Sequence, residues 1–180
     1  EAQAFQIFDT TNTRGLRLTP SEAFKARLAV AIGSNKELRA QFIKSWDSAA
    51  TKFEVAGLGL NEMDGYLLAL WSARFAYTTK ANLAKELQEQ LDIEAVTTDE
   101  IVDDIGNYAD SYLAVLRPKG STLNSADLRD IEKMKFTQAH GFLTMVHKHN
   151  FQHFRRAVCL ALALHVRNVA VGPRQANAFQ

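Results

Sequence analysis

The sequence lacks the features that define several classes of protein. It contains one cysteine in 180 residues, so an internal disulfide cannot form and a disulfide-stapled fold is excluded. No apolar run approaches the roughly 18 residues that span a bilayer, and no transmembrane segment is predicted. With 47% hydrophobic residues and a formal net charge of +1, the chain is too apolar and too weakly charged to be disordered. We therefore expect a soluble globular protein.

The sequence also lacks the common catalytic motifs. The phosphate-binding patterns Gly-x-x-x-x-Gly-Lys-Ser/Thr and Gly-x-Gly-x-x-Gly are absent, as are Gly-x-Ser-x-Gly and His-Glu-x-x-His. A non-enzymatic role is therefore favoured, and no cofactor is predicted from these patterns. The chain begins at Glu1 rather than Met, which we interpret as processing or trimming. The compartment stays open, with export followed by signal cleavage as one route.

Helical signals recur from Thr19 onward. Thr19-Pro20-Ser21-Glu22 is a capping box with proline at the first helical position, and Gly33 and Gly57 are typical helix ends. Apolar residues then repeat every three or four positions, and no sustained alternation predicts a strand. We predict an all-α, single-domain bundle of six or seven helices over residues 19–180. It follows a short extended arm over residues 1–18, which carries the apolar residues Phe5, Ile7 and Phe8.

Three of the predicted helices have distinctive patterns. One carries the nearly continuous apolar run Leu67–Trp71 and is predicted to be central and buried. Arg74, at its end, is a structural charge in an apolar helix; it predicts an ion pair, with an interface or a small anion pocket as alternatives. A second helix is predicted to run unbroken from the Thr97 cap to Leu116, and a third from Ser125 to about His149.

Charge is distributed unevenly along the chain. From Lys133 to Gln180 there is no Asp or Glu, whereas seven Lys or Arg and all five histidines fall there. The first 132 residues hold 14 basic and 20 acidic residues, a balance of −6. Such asymmetry is a clue to partners. The alternative is that the acidic run from Glu94 to Asp110 neutralises the basic end within the same fold.

The basic end predicts a binding face. Its candidate residues are Lys148, Arg155, Arg156, Arg167 and His147. The leading hypothesis is a helical binding or assembly protein that docks on an acidic protein surface, on another copy of itself or on nucleic acid. The interleaved Phe151 and Phe154 could stack on bases, but we expect them, like Cys159 among its apolar neighbours, to lie in the core.

A second hypothesis uses histidines as ligands. On one continuous helix, His149 and His153 would stand one turn apart, the spacing at which two imidazoles share a metal ion. Two axial histidines could instead hold haem, although no Cys-x-x-Cys-His motif is present. The simpler interpretation is a set of ordinary surface histidines. Clustered histidines also suggest a pH sensor, because imidazole gains charge between about pH 7 and 6.

One short motif suggests a third hypothesis for the function. Arg14-Gly15-Leu16-Arg17 fits the pattern Arg-x-Leu-Arg and lies ahead of the helical region. These four residues resemble the host-targeting motif of secreted oomycete effectors. The acidic Glu-Glu-Arg motif that follows in that family has no counterpart in this sequence. The resemblance implies a secreted effector-like protein, which we keep as a minor alternative.

Overall fold

The computed structural model describes residues 18–59, 61–118 and 125–170. Within these ranges the secondary structure is helical and contains no strand, which confirms the predicted all-α class. The predicted arm, apart from Leu18, and the Arg-x-Leu-Arg motif lie outside the described residues. The helices are α1 Pro20–Ile32, α2 Lys36–Val55, α3 Glu62–Arg74, α4 Leu83–Asp92, α5 Thr98–Asn107, α6 Ala109–Leu116, α7 Ser125–Lys133, α8 Ala139–His149 and α9 Phe154–Ala170, with a 3₁₀ turn at Phe151–His153.

The predicted number of six or seven helices is wrong, because the described ranges alone contain nine. Two segments predicted as single helices are divided. In the segment from Thr97 to Leu116, α5 ends at Asn107 and α6 begins at Ala109. Tyr108 lies between them and is the C-cap of α5. In the segment from Ser125 to His149, α7 ends at Lys133. Two residues later, Lys135 adopts a left-handed backbone with φ of 54°.

The break at Lys135 is a Schellman motif. The Phe136 N–H donates to the Ile131 carbonyl at 3.1 Å, and the Lys135 N–H donates to the Glu132 carbonyl at 2.9 Å. These two bonds satisfy carbonyls that the end of α7 would otherwise leave unpaired. A lysine therefore occupies the position that glycine usually takes, and the sequence gives no glycine to mark the break.

The contacts within the chain form two compact units, Glu1–Ala109 (unit 1) and Asp110–Gln180 (unit 2). The single domain over residues 19–180 stays a prediction. None of the helices in the described ranges combines the length and hydrophobicity needed to cross a bilayer.

Unit 1 is organised around aromatic side chains. Tyr66 of α3 is fully buried and meets Phe53 of α2 edge-on, with ring centroids 5.2 Å apart. Phe24 of α1 meets Trp71 of α3 in the same way at 6.2 Å. Edge-to-face pairs of this kind add to the free energy of burial. As predicted, α3 is buried along most of its length, and it supplies residues to both pairs.

Polar side chains complete several helix ends in unit 1. Thr19 and Glu22 form the predicted capping box at α1, and Thr97 and Glu100 form another at α5. Asn61 occupies the N-cap position of α3, but its side chain makes no capping hydrogen bond. Instead, the buried carboxylate of Asp64 accepts a hydrogen bond from the backbone N–H of Ser21 in α1 at 2.8 Å.

Unit 2 has its own apolar core. Its fully buried members include Leu143 of α8, Val158 of α9 and Ile131 of α7. The rest of the buried cluster consists of Val115, Leu128, Ala139, Phe154, Ala157 and Ala161. The core therefore holds one side of α9 against α7 and α8. The opposite side of α9 points away from this core.

Candidate docking surface on the last helix

The face of α9 that points away from the core of unit 2 carries large apolar side chains. Leu160 is 58% exposed and Leu164 is 52% exposed, and Ala163 between them is also exposed. Arg156 and Arg167 lie on the same side of the helix, because positions 156, 160, 163, 164 and 167 recur at helical spacing. We call these five residues the outer face of α9.

Other sides of α9 also carry exposed side chains. Val166 is 52% exposed, and Val169, which lies at nearly the same angle around the helix as the core residue Val158, is 70% exposed. Cys159 is exposed as well, so the expectation that it is buried was wrong. Its apolar neighbours Val158 and Leu160 point to opposite sides of the helix, one into the core and one into solvent. An apolar run on a helix thus does not imply burial all round.

The predicted cations are exposed, and two of them belong to the outer face. Lys148, Arg155, Arg156 and Arg167 all reach solvent. Arg155 lies on another side of α9 and Lys148 lies on α8. Two ion pairs of unit 2 join Arg117 to Glu132 at 2.8 Å and Lys133 to Asp130 at 3.4 Å. The exposed leucines therefore lie between Arg156 and Arg167.

His147 belongs to an aromatic corner where α8 turns into α9. Its ring meets Phe151 and Phe154 edge-on, with centroids 5.1 and 5.0 Å apart. Burial lowers the pKa of His147 below its usual value of 6.5, because the charged form loses solvation. Its buried Nδ1 has no hydrogen-bond partner in the described structure. Phe154 is buried as expected, but Phe151 is 65% exposed, so its predicted core position was wrong.

The turn between α8 and α9 separates the two candidate metal ligands. His149 is the last residue of α8, whereas His153 ends the 3₁₀ turn, so no continuous helix joins them. Asn150 causes the change of direction with backbone angles of −138° and 48°. In the described ranges, no group of three or more His, Cys, Asp or Glu side chains is arranged to hold a metal ion. Metal or haem binding by His149 and His153 stays a prediction.

Arg74 forms ion pairs in unit 1. Its guanidinium contacts Asp104 and lies 3.2 Å from a carboxylate oxygen of Glu100, both on α5. It also lies over the Phe75 ring, 5.5 Å from the centroid. Burial nevertheless raises the pKa of Asp104, and Arg74 opposes this rise only in part. Two acids of the run from Glu94 to Asp110 therefore pair inside unit 1, at the end of α3.

Sequence reasoning missed the leucines of the outer face. The dense apolar run Cys159–Leu164 was the basis for expecting Cys159 in the core, and it gave no indication of which leucines face solvent. One signal in the sequence argues otherwise, since Arg156 and Arg167 share a helical face with Leu160 and Leu164. Arginines rarely lie fully inside a core without partners, so their position marks that face as the one toward solvent.

Comparisons with known proteins add no further constraint on the site. No protein-family model, curated protein or solved structure matches this chain.

Proposed function

We propose that this chain is a non-enzymatic binding protein and that unit 2 docks an acidic amphipathic helix of another protein on the outer face of α9. One observation carries the proposal. Two leucines, each more than half exposed, lie between two arginines on one helical face. Arg156 and Arg167 are eleven residues apart, which separates their backbones by about 16 Å along the axis.

The chemistry of the partner follows from this arrangement. Burying Leu160 and Leu164 requires apolar side chains at helical spacing on the facing surface, as in helix-in-groove recognition. The two arginines require carboxylates near either end of that surface, and Arg forms bidentate pairs with carboxylates. A helix with three or four aliphatic residues flanked by Glu or Asp supplies both. Arg155 and Lys148 would increase its rate of association through long-range attraction.

The same residues argue against the other two partners. In a symmetric pairing of two copies through α9, the arginines of one copy would lie near the arginines of the other, because both ends of the outer face are basic. Like charges so placed oppose association. Nucleic acid would use the cations and the exposed Phe151, but its phosphates would leave Leu160 and Leu164 without apolar contacts.

A designed peptide tests the proposal directly. The probe is a fluorescein-labelled 18-residue helix with Leu at i, i+3, i+4 and i+7 and Glu on both flanks. Fluorescence anisotropy with the full chain should give saturable binding that weakens as salt rises. A matched peptide with Lys in place of Glu, and another with Ser in place of Leu, should bind at least tenfold more weakly. Equal binding of all three peptides would contradict the proposal.

Variants of the chain locate the site. Leu160→Ser combined with Leu164→Ser should weaken binding of the acidic peptide at least tenfold, because both leucines are exposed and the core is left intact. Arg156→Glu combined with Arg167→Glu should weaken it similarly and remove most of the salt dependence. Arg129→Glu reverses an exposed charge on α7 and is the matched control. If Arg129→Glu has the same effect as the outer-face variants, the binding is not localised to α9.

The native thiol gives an independent readout. Cys159 is the single cysteine of the chain and is exposed beside the outer face. A bound helix should slow its alkylation by iodoacetamide in proportion to the occupancy measured by anisotropy. Short DNA and RNA duplexes of equal charge should not slow it. Protection by nucleic acid but not by the acidic peptide would replace the proposed partner with nucleic acid.

A further inference from the structure

Unit 1 contains a groove that the proposed function does not use. It runs between α1 and α2 and has a volume of about 630 Å³, within the range of roughly 300–1,000 Å³ typical of ligand sites. Its walls are mostly apolar. They are formed by Leu18, Ala26, Ala29, Val30, Phe42 and Ile43, with Glu22, Lys25, Gly33 and Arg39 completing the lining.

Both walls of this α1–α2 groove leave large aliphatic side chains in solvent. Val30 of α1 is 44% exposed and Ile43 of α2 is 48% exposed. Single exposed aliphatic residues are ordinary on protein surfaces, but two that face one groove define a place where apolar side chains would gain free energy by docking. The groove therefore calls for an apolar occupant.

We propose that the occupant is the chain's own N-terminal segment, residues 1–17, docked through Phe5, Ile7 and Phe8. Leu18 lines the groove and is joined directly to this segment, so the segment is tethered at the edge of the site. Nine residues separate Phe8 from Leu18, and the ten steps from one Cα to the other span at most about 36 Å when extended. The 13-residue α1 is about 20 Å long, so the three apolar side chains reach any point of the groove.

Tethering favours the same occupant. The segment 1–17 carries two acids, Glu1 and Asp9, and two bases, Arg14 and Arg17, so it brings no net charge to the groove. The two cations that line the groove have partners in unit 1, since Arg39 donates to the Gly33 carbonyl at 2.7 Å and Lys25 lies over the Trp46 ring. We therefore expect docking through apolar contacts. A short tether holds the segment at an effective concentration in the millimolar range, so even weak affinity fills the groove within one chain. The same segment from a second copy has no such advantage at micromolar concentration.

Photo-crosslinking of the full chain tests this docking. Phe8 is replaced by the aromatic crosslinker p-benzoylphenylalanine, the sample is irradiated at micromolar concentration, and crosslinked peptides are mapped by mass spectrometry. We expect crosslinks within single chains to residues 18–43. Crosslinks between chains would assign the groove to a second copy, and crosslinks elsewhere or none at all would also overturn the proposal.

Groove variants add a control for specificity. Val30→Asp and Ile43→Asp each place a charge on a groove wall and should lower the yield of the crosslink at least fivefold. Val55→Asp changes an equally apolar residue that is 83% exposed at the end of α2, outside the groove, and should leave the yield unchanged. Tryptophan fluorescence verifies that each variant stays folded. An equal yield in all three variants would contradict docking in the groove.

Discussion

The start of α1 provides the sharpest test of how unit 1 is held together. Four backbone N–H groups at the N-terminus of a helix have no partner within it. Here Pro20 has none to satisfy, the Thr19 N–H donates to the Glu22 carboxylate and the Glu22 N–H donates to the Thr19 hydroxyl. The Ser21 N–H depends on Asp64, which comes from α3. Asp64→Ala removes that acceptor and nothing else in the cap.

The loss of stability expected for Asp64→Ala follows from the burial of the Ser21 N–H and the Asp64 carboxylate. Ser21 and Asp64 are each 6% exposed, so water cannot readily replace the carboxylate. A buried N–H without a partner costs about 1–3 kcal/mol. The lost charge near the start of α1 and in the first turn of α3 adds about 0.3–1 kcal/mol. We expect Asp64→Ala to lower the free energy of unfolding by about 2–3 kcal/mol. Asp64→Asn keeps an acceptor and should cost about 1 kcal/mol or less.

Urea denaturation followed by tryptophan fluorescence measures this loss in unit 1. The two tryptophans of the chain are Trp46 and Trp71, in α2 and α3, so the signal reports on that unit. With an m value of about 2 kcal/mol per molar urea, the midpoint should fall by about 1 M for Asp64→Ala.

Asp99→Ala is the matched control for Asp64. Asp99 also lies in the first turn of a helix but is exposed, so its loss should cost no more than about 1 kcal/mol. If Asp64→Ala costs no more than Asp99→Ala, the proposed cap is not what stabilises the start of α1.

Three further results are expected. Since burial lowers the pKa of His147, its neutral form is favoured in the folded state; stability should therefore be full above pH 6.5 and fall as the pH drops below it. Circular dichroism melts should show that His147→Phe removes this dependence and that the exposed His153→Gln does not. Arg74→Met leaves Asp104, whose pKa burial already raises, without its cation. The variant should lose stability at pH 7 and regain it as acid protonates Asp104, and a pH-independent loss in urea midpoint would contradict this. Tyr66→Phe removes the buried hydroxyl that donates to the Ile105 carbonyl at 2.7 Å. It should cost about 1–2 kcal/mol by urea denaturation, and no change would refute the bond's contribution.

Local signals explain why much of the fold was predictable. A capping box such as Thr19 with Glu22 lies within four residues, so the sequence alone contains everything needed to recognise it. The apolar stripe of α2 from Leu38 to Phe53 is likewise buried at the expected spacing. Local signals do not show a cap that a distant residue contributes. Asp64 completes α1 from 43 positions away, and no local pattern indicates that pairing.

The predicted number of helices was wrong for another reason. Lys135 and Glu94 both adopt left-handed backbones of φ 54° at helix ends, in positions where glycine is usual. A search for glycine finds the end of α2 at Gly57 but cannot find these two. For the candidate site, the sequence located the cations, but the side of α9 that faces solvent depends on packing with α7 and α8 in the folded chain.

The left-handed residues also have a consequence for engineering the protein. A residue with a Cβ atom in the left-handed conformation costs roughly 1–2 kcal/mol of folding free energy. Lys135 and Glu94 therefore each lower the stability of the folded chain relative to a residue without that strain. Each is a charged surface residue at the end of a short helix. Glycine at both positions would offer a thermostable starting scaffold in which destabilising changes at the core or the binding face could be carried without loss of folding.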